Sequence, residues 1–400
     1  MLPLQTTLYS GRMNEFRYIS YAQEIIFGAG SAAQLGDAVK RFGMRRLMLC
    51  TTRSLRRGGQ IKLIEQTIGN RLVAVYEHVQ PHVPDFQVAE VLELASENEI
   101  DALIGMGGGS PIGMAKAISM TLEEKRTGQL ARAAFPTDQP LTPVIAIPTT
   151  YAGSEMTPTY GITYNNDSAA HKVTQTDAKI TPKLVIYDPL LTLNLPPEVT
   201  ASSGINALAH CIEALYSITR NPLSTSVALS GIDSIYTALP RCYVDGNDLE
   251  ARTEMLIGAY LAGSALSHVS MALHHGLCHI LGGTAGVPHG FANSIMLPHA
   301  LRFNIEATAP QLALAAQAMG VERNTSTSLM GDEGLAEEAV ERIYTFIDQM
   351  NLPQHLRSVG VKETDISNLA ELALQSRAVQ SNPKAITNAQ QIEGILRAAW

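Results

Sequence analysis

Five polar residues set in apolar surroundings could share one piece of chemistry. Asn206 and His210 stand four apart, as do His275 and His279, and Pro288-His289-Gly290 follows soon after. A spacing of four puts each pair on one helix face. Their neighbours Ala207, Leu208, Ala209 and Leu277 are small or apolar, which turns those faces inward. A lone inward histidine is ordinarily a satisfied core residue, but several inward polar pairs are costly unless they meet in one pocket. Grouped imidazoles can move a proton or stabilise a developing negative charge. His274 and His299 read as structural or surface residues.

Two loops offer a different chemistry. Gly105-Met106-Gly107-Gly108-Gly109-Ser110 follows an apolar strand pattern and leads into a helical one through Lys116. Glycines there let backbone N–H groups approach an anion, and the helix start adds partial positive charge, so a pyrophosphate is the natural guest. A bare strand-to-helix turn has no use for three consecutive glycines. The spacing matches neither GxGxxG nor the P-loop. The second loop, Pro148-Thr149-Thr150-Tyr151-Ala152-Gly153-Ser154-Glu155-Met156-Thr157, also follows a strand. Its hydroxyls suit a nucleotide or substrate at a strand's carboxyl end.

The elements that must position these groups divide the chain in two. Strand patterns occupy Glu24–Phe27, Arg46–Thr51, Arg71–Tyr76, Ala102–Met106 and Pro143–Pro148, with a helix from Asp85 to Glu99 between the third and fourth. Strands apolar on both faces and separated by helices imply a parallel sheet covered on both sides. Beyond about Pro189 the pattern is Ala/Leu/Met-rich and helical, broken at Pro196-Pro197, Asn221-Pro222, Gly286-Val287-Pro288 and Leu352-Pro353. We expect an α/β nucleotide-binding domain over 1–189 and an all-helical domain over 190–400, with the ligand cleft between them.

Composition narrows the partners. The 400 residues are 46% apolar and 16% charged, which supports a large core. A formal net charge of −8 disfavours nucleic acid and anionic membranes as partners, and no apolar run reaches the roughly 18 residues of a membrane span. Met1–Thr7 lacks the basic and apolar regions of a secretory signal, and residues 1–12 carry no pattern. Cys50, Cys211, Cys242 and Cys278 form no CxxC pair, as suits a reducing cytoplasm.

Taken together, the chain resembles the iron-containing (group III) alcohol dehydrogenase superfamily along almost its whole length. Within it the maleylacetate reductase branch matches best in Gly-Gly-Gly-Ser-Pro-Ile-Gly-Met-Ala-Lys (107–116), Thr-Thr-Tyr-Ala-Gly-Ser-Glu-Met-Thr-Pro (149–158) and Gly-Ile-Asn-Ala-Leu-Ala-His-Cys-Ile-Glu-Ala (204–214). Tyr187-Asp188-Pro189 and the His275–Gly290 stretch fall in family order. The resemblance implies NADH or NADPH as hydride source, a small dicarboxylate (maleylacetate) as acceptor with 3-oxoadipate as product, and a homodimer. It implies cofactor contacts at Gly107, Gly108, Gly109, Ser110, Thr149, Thr150, Ser154, Thr52 and Arg53, and substrate contacts at Lys172 and Tyr151.

The metal ligands of the family fall on Asn206, His210, His275 and His289, while His279 matches a histidine near the nicotinamide. Asn206 stands where the family has an Asp, and an amide offsets less of a dication's charge than a carboxylate. We therefore expect those positions to be vestigial and His210, His275, His279, His289 and Asn206 to act without a metal, one imidazole being protonated. Thr52 stands where many relatives carry an Asp that repels a 2′-phosphate, which opens the site to NADPH. The alternatives are a metal-dependent alcohol or hydroxyacid dehydrogenase and a nucleotide-binding protein without turnover.

Overall fold

The computed structural model describes residues 16–128, 133–135, 137–166, 169–322 and 325–400. Residues 1–12, read above as patternless, lie outside the described set. Eight strands are present among the described residues: β1 Glu24–Phe27, β2 Leu47–Cys50, β3 Leu72–Tyr76, β4 Ala102–Gly107, β5 Val144–Pro148, β6 Thr159–Asn166, β7 Ala169–Thr176 and β8 Leu184–Tyr187. Six of them form one sheet in the order β1-β8-β5-β4-β2-β3, with every pairing parallel. Alternation along each strand feeds two cores. Met48, Cys50 and Leu103 meet Val88, Val91 and Met114 on one face, while Leu47, Leu49, Ile104 and Ile145 meet Leu35, Val39 and Ile64 on the other.

The sequence reading missed two things in this half. β8 lies between β1 and β5, and β6 pairs with β7 as an antiparallel hairpin, Thr163 opposite Lys172. The hairpin presents Tyr160 and Ile162 to the core beneath the Gly109–Thr127 helix, so it is a wall rather than a loose loop.

Past Pro196 the chain is helical. Helices span Pro197–Tyr216, Pro222–Val244, Leu249–Ser267, Leu273–Ala285, His289–Ala318 and Thr325–Asp348, followed by shorter turns to Ala398. Proline starts the first two, where its missing N–H costs nothing, and Asn221 and Ser224 cap the second reciprocally. The fold is thus a parallel-sheet α/β unit joined to a helical one, and the core between them contains Ala146, Val185 and Tyr187 against Ile205, Leu208 and Ile212.

One buried charge ties the sheet loops together. Lys116 is fully buried, and its ammonium donates to the carbonyls of Ser154, Thr157 (2.7 Å) and Thr159 (3.0 Å). Burial pushes its pKa down to about 7, with the nearby Glu155 carboxylate opposing. Lys116→Met leaves those carbonyls without their donor and removes the positive charge near Glu155, which keeps the Tyr187 hydroxyl. We expect it to lower unfolding free energy by about 3 kcal/mol in urea titrations; a loss near zero would show that the carbonyls find other donors.

Candidate active site

A cavity of about 700 Å³ opens between the two halves. Its sheet side carries Gly109, Ser110, Gly113, Thr150, Ala152 and Ser154, and its helical side carries Asn206, His210, His275, His279 and His289. Parallel sheets hold ligands outside the carboxyl ends of their strands, which is where β4 and β5 deliver the first group.

At the sheet end the glycines are required by close packing. Gly107 has φ +140°, and a Cβ on Gly108 would lie 3.1 Å from the Thr150 hydroxyl. The N-cap of the 19-residue Gly109–Thr127 helix makes no side-chain hydrogen bond, so its first amides face the cavity uncapped. That is a cradle for phosphate oxygens. Ser110, Thr150 and Ser154 line the cavity with it, whereas Gly107, Gly108 and Thr149 do not. Thr52 follows β2 as N-cap of a short helix, and its hydroxyl pairs with Ser54 at 2.8 Å. The Arg53 guanidinium donates to His78 Nδ1 at 2.7 Å.

At the helical end three helices bring four histidines together. The His210 and His275 rings stack at 4.6 Å between centroids, and His279 and His289 stack at 5.8 Å. His275 lies 6.4 Å from His279 and 6.5 Å from His289. Behind them sits Glu213, fully buried. Its carboxylate accepts from the Tyr216 hydroxyl, from the backbone N–H of His274 (3.1 Å) and His275 (3.4 Å), and from His275 Nδ1. The Leu273–Ala285 helix has no cap from its own N-terminal side chain, so Glu213 both satisfies its first amides and fixes the His275 tautomer. With Nδ1–H engaged, His275 Nε2 is left as a bare lone pair. Burial raises the Glu213 pKa, but its electrostatic and hydrogen-bond interactions with His275, together with His274, more than offset it and hold the carboxyl below its usual range.

Burial, then the neighbouring His275, His274 and His279, pushes the His210 pKa well below that of free imidazole. Burial also lowers His274, to about 4. A protonated imidazole, expected above, is therefore not available at His210. What the site offers instead is lone pairs: Asn206 Oδ1, His210 Nδ1 and His275 Nε2 are buried without a hydrogen-bond partner. Asn206 donates from its NH₂ to the Ala152 carbonyl at 3.4 Å, which turns its own side-chain oxygen away from that acceptor.

Comparison with known proteins agrees with this geometry. A family model described as iron-containing alcohol dehydrogenase matches residues 22–189, and the C-terminal model of the Fe-containing alcohol dehydrogenase family matches 200–400. The chain belongs to the iron-containing alcohol dehydrogenase family. Maleylacetate reductase 1 of Cupriavidus pinatubonensis is 34% identical over 371 residues, covering 93% of this chain and 94% of its own. A maleylacetate reductase from Agrobacterium tumefaciens superposes with a TM-score of 0.80 at 32% identity, over 97% of this chain and 99% of its own. An iron-containing alcohol dehydrogenase from Corynebacterium glutamicum gives 0.79 at 31% identity, over 96% of each chain.

For an iron-containing alcohol dehydrogenase, the expected metal-free centre does not stand. The family carries iron or another metal, and Glu213, His274 and His275 bring ligand atoms within 4.8 Å of one another. The residues fit a cation by their chemistry, since three buried acceptor atoms lack donors and His210 keeps its lone pair. Weighing only the charge lost at Asn206 overlooked Glu213, whose carboxylate sits behind His275 and restores a negative charge one residue further out. The signal for it was present: Glu213 follows Asn206 by seven and His210 by three, on the same face.

One further expectation changes. Tyr151 is wholly buried and does not line the cavity. Its hydroxyl accepts from Arg252 Nη1 at 2.9 Å, and it packs in the core between the two halves. Lys172 belongs to β7, but its side chain lies outside the described residues. Among the described residues, no Lys or Arg lines the cavity. None of the described helices is long and apolar enough to cross a membrane.

Proposed function

We propose that this oxidoreductase reduces the carbon–carbon double bond of maleylacetate (4-oxohex-2-enedioate) to give 3-oxoadipate, with NADH or NADPH as hydride source, in the breakdown of aromatic compounds. The observation that carries the reading is the cavity itself: an uncapped helix start lies at one end and the buried, stacked His210 and His275, with His279 and His289 beside them, at the other. The maleylacetate reductases similar to this chain along nearly its whole length support the choice of acceptor.

Bound nicotinamide supplies a hydride to the alkene carbon β to the ketone, and a divalent cation supplies positive charge to the ketone oxygen. The chain's own residues do the rest. Gly109 and Ser110 amides, with the Thr150 and Ser154 hydroxyls, hold the pyrophosphate and so fix which face of the ring meets the acceptor. Asn206, His210, His275 and His289 hold the cation, with Glu213 orienting His275. As negative charge develops on the ketone oxygen, this preorganised end of the cavity stabilises it without reorganisation. His279, the imidazole of the group that is not among those four residues, delivers the proton to the carbon next to the ketone.

We extend the reading to a homodimer working in the cytoplasm; the four cysteines are unpaired and buried, which supports a reducing compartment. The test is oxidation of NADH on addition of maleylacetate with recovery of 3-oxoadipate. Absence of turnover by metal-loaded protein would reject the proposal. Thr52→Asp places a carboxylate where a 2′-phosphate would lie. We expect it to raise KM for NADPH by about tenfold while leaving NADH nearly unaffected, and an unchanged ratio would move the adenosine end elsewhere.

A further inference from the structure

Residues 81–83 form part of the cavity wall that no reading above has used. His82 and Val83 have φ of +65° and +52°, so two consecutive non-glycine residues, one of them β-branched, are held in the left-handed region. L side chains adopt that region reluctantly, and strain of this kind persists where the surroundings over-determine it. Here the β6–β7 hairpin does so. The Thr163 hydroxyl donates to the His82 carbonyl at 2.9 Å, the Thr163 N–H donates to the Val83 carbonyl at 3.0 Å, and Pro84 bridges to Thr163.

The consequence is where His82 ends up. It lines the main cavity, and it also lines a small adjoining space of about 10 Å³ together with Thr163, Cys278, Gly282, Gly283, His279 and His289. That volume is near the size of one oxygen atom's worth of water. His82 comes from the sheet half, and its ring reaches the Leu273–Ala285 helix, a Cβ on Gly282 standing in ordinary contact with His82 Cε1 at 3.6 Å. Three imidazoles from two halves of the protein thus surround one end of the cavity. The acceptor proposed above carries two carboxylates, yet the described lining offers neither Lys nor Arg to receive them. Among the described lining residues, imidazole N–H groups are the donors best matched to a carboxylate.

We propose that His82 is a specificity-determining residue: its imidazole N–H binds one carboxylate of the acceptor, beside His279 and His289, and the strained 82–83 turn exists to aim it there. The inference rests on the dicarboxylate reading of the site, and wild-type protein turning over maleylacetate is the control that separates the two. If wild type does not react, that reading fails; if wild type reacts and His82 variants behave like it, this inference fails alone.

The experiment compares wild type, His82→Ala and His82→Asn by steady-state kinetics with maleylacetate and with its monomethyl esters. Asn tolerates the left-handed region and keeps an N–H donor, so it serves if the Ala variant does not fold. For His82→Ala we expect KM for maleylacetate to rise by about tenfold or more while kcat falls far less and KM for NADH stays put. His82→Asn should recover part of that loss. The ester that lacks the recognised carboxylate should show no such penalty, because the group His82 binds is already gone. An unchanged KM for maleylacetate in a folded variant, or equal penalties on the diacid and both esters, would overturn the assignment.

Discussion

His275→Ala is expected to lower kcat by at least about a hundredfold, the scale seen when a preorganised charge-stabilising group is removed from a dry site. The two nitrogens of His275 have opposite duties. Nδ1 is engaged by Glu213, and Nε2 is buried without a partner at the cavity. Truncation also leaves the Glu213 carboxylate short of its main counter-group, although it keeps the Tyr216 hydroxyl and two backbone amides. Some stability should therefore be lost along with activity. The variant His275→Ala combined with Glu213→Gln separates the two effects, since neutralising the carboxylate removes the unpaired charge. We expect it to melt closer to wild type and to remain as slow as the single variant. Turnover within about threefold of wild type in folded His275→Ala would remove this residue from the mechanism.

The second large effect concerns the cation. Asn206→Asp should tighten retention of iron or zinc by about tenfold or more, read as metal content after dialysis against a graded series of chelator concentrations. The neutral oxygen of Asn206 contributes only a dipole, and the nearest full negative charge, Glu213, lies behind His275. Introducing a carboxylate puts that charge in direct contact. The substitution forfeits the amide's 3.4 Å contact to the Ala152 carbonyl, a weak bond whose loss costs little beside the gain. Metal content that follows the wild-type curve would show that Asn206 does not touch the cation.

What could be read in the sequence followed from how completely each element is buried. β2, β4 and β5 are apolar on both faces because helices cover both, and such runs stand out without any periodicity. The β6–β7 hairpin carries a weaker mark: Tyr160 and Ile162 point to a core while Thr159 and Thr163 do not, and the intervening residues look like an ordinary polar loop. Tyr151 was misjudged because it sits beside Thr150, which does line the cavity, yet the next residue along the chain turns into the core to meet Arg252. The i, i+4 pairs announced the convergence of Asn206, His210, His275 and His279, since a helical face is a local property. Glu213 acts through a contact 62 residues away in the chain, on His275, and His82 owes its place to the hairpin 81 residues on. Helical spacing puts Glu213 on the face of Asn206 and His210, but no local pattern encodes the long-range contact that either residue makes.

The most direct measurement is the fate of a label. Reaction of maleylacetate with NADH deuterated at C4 on the transferred side should place one deuterium on the product carbon β to the ketone, leaving the ketone intact. Deuterium on a carbinol carbon, with a hydroxy acid as product, would mean that the site reduces the carbonyl itself and would contradict the account.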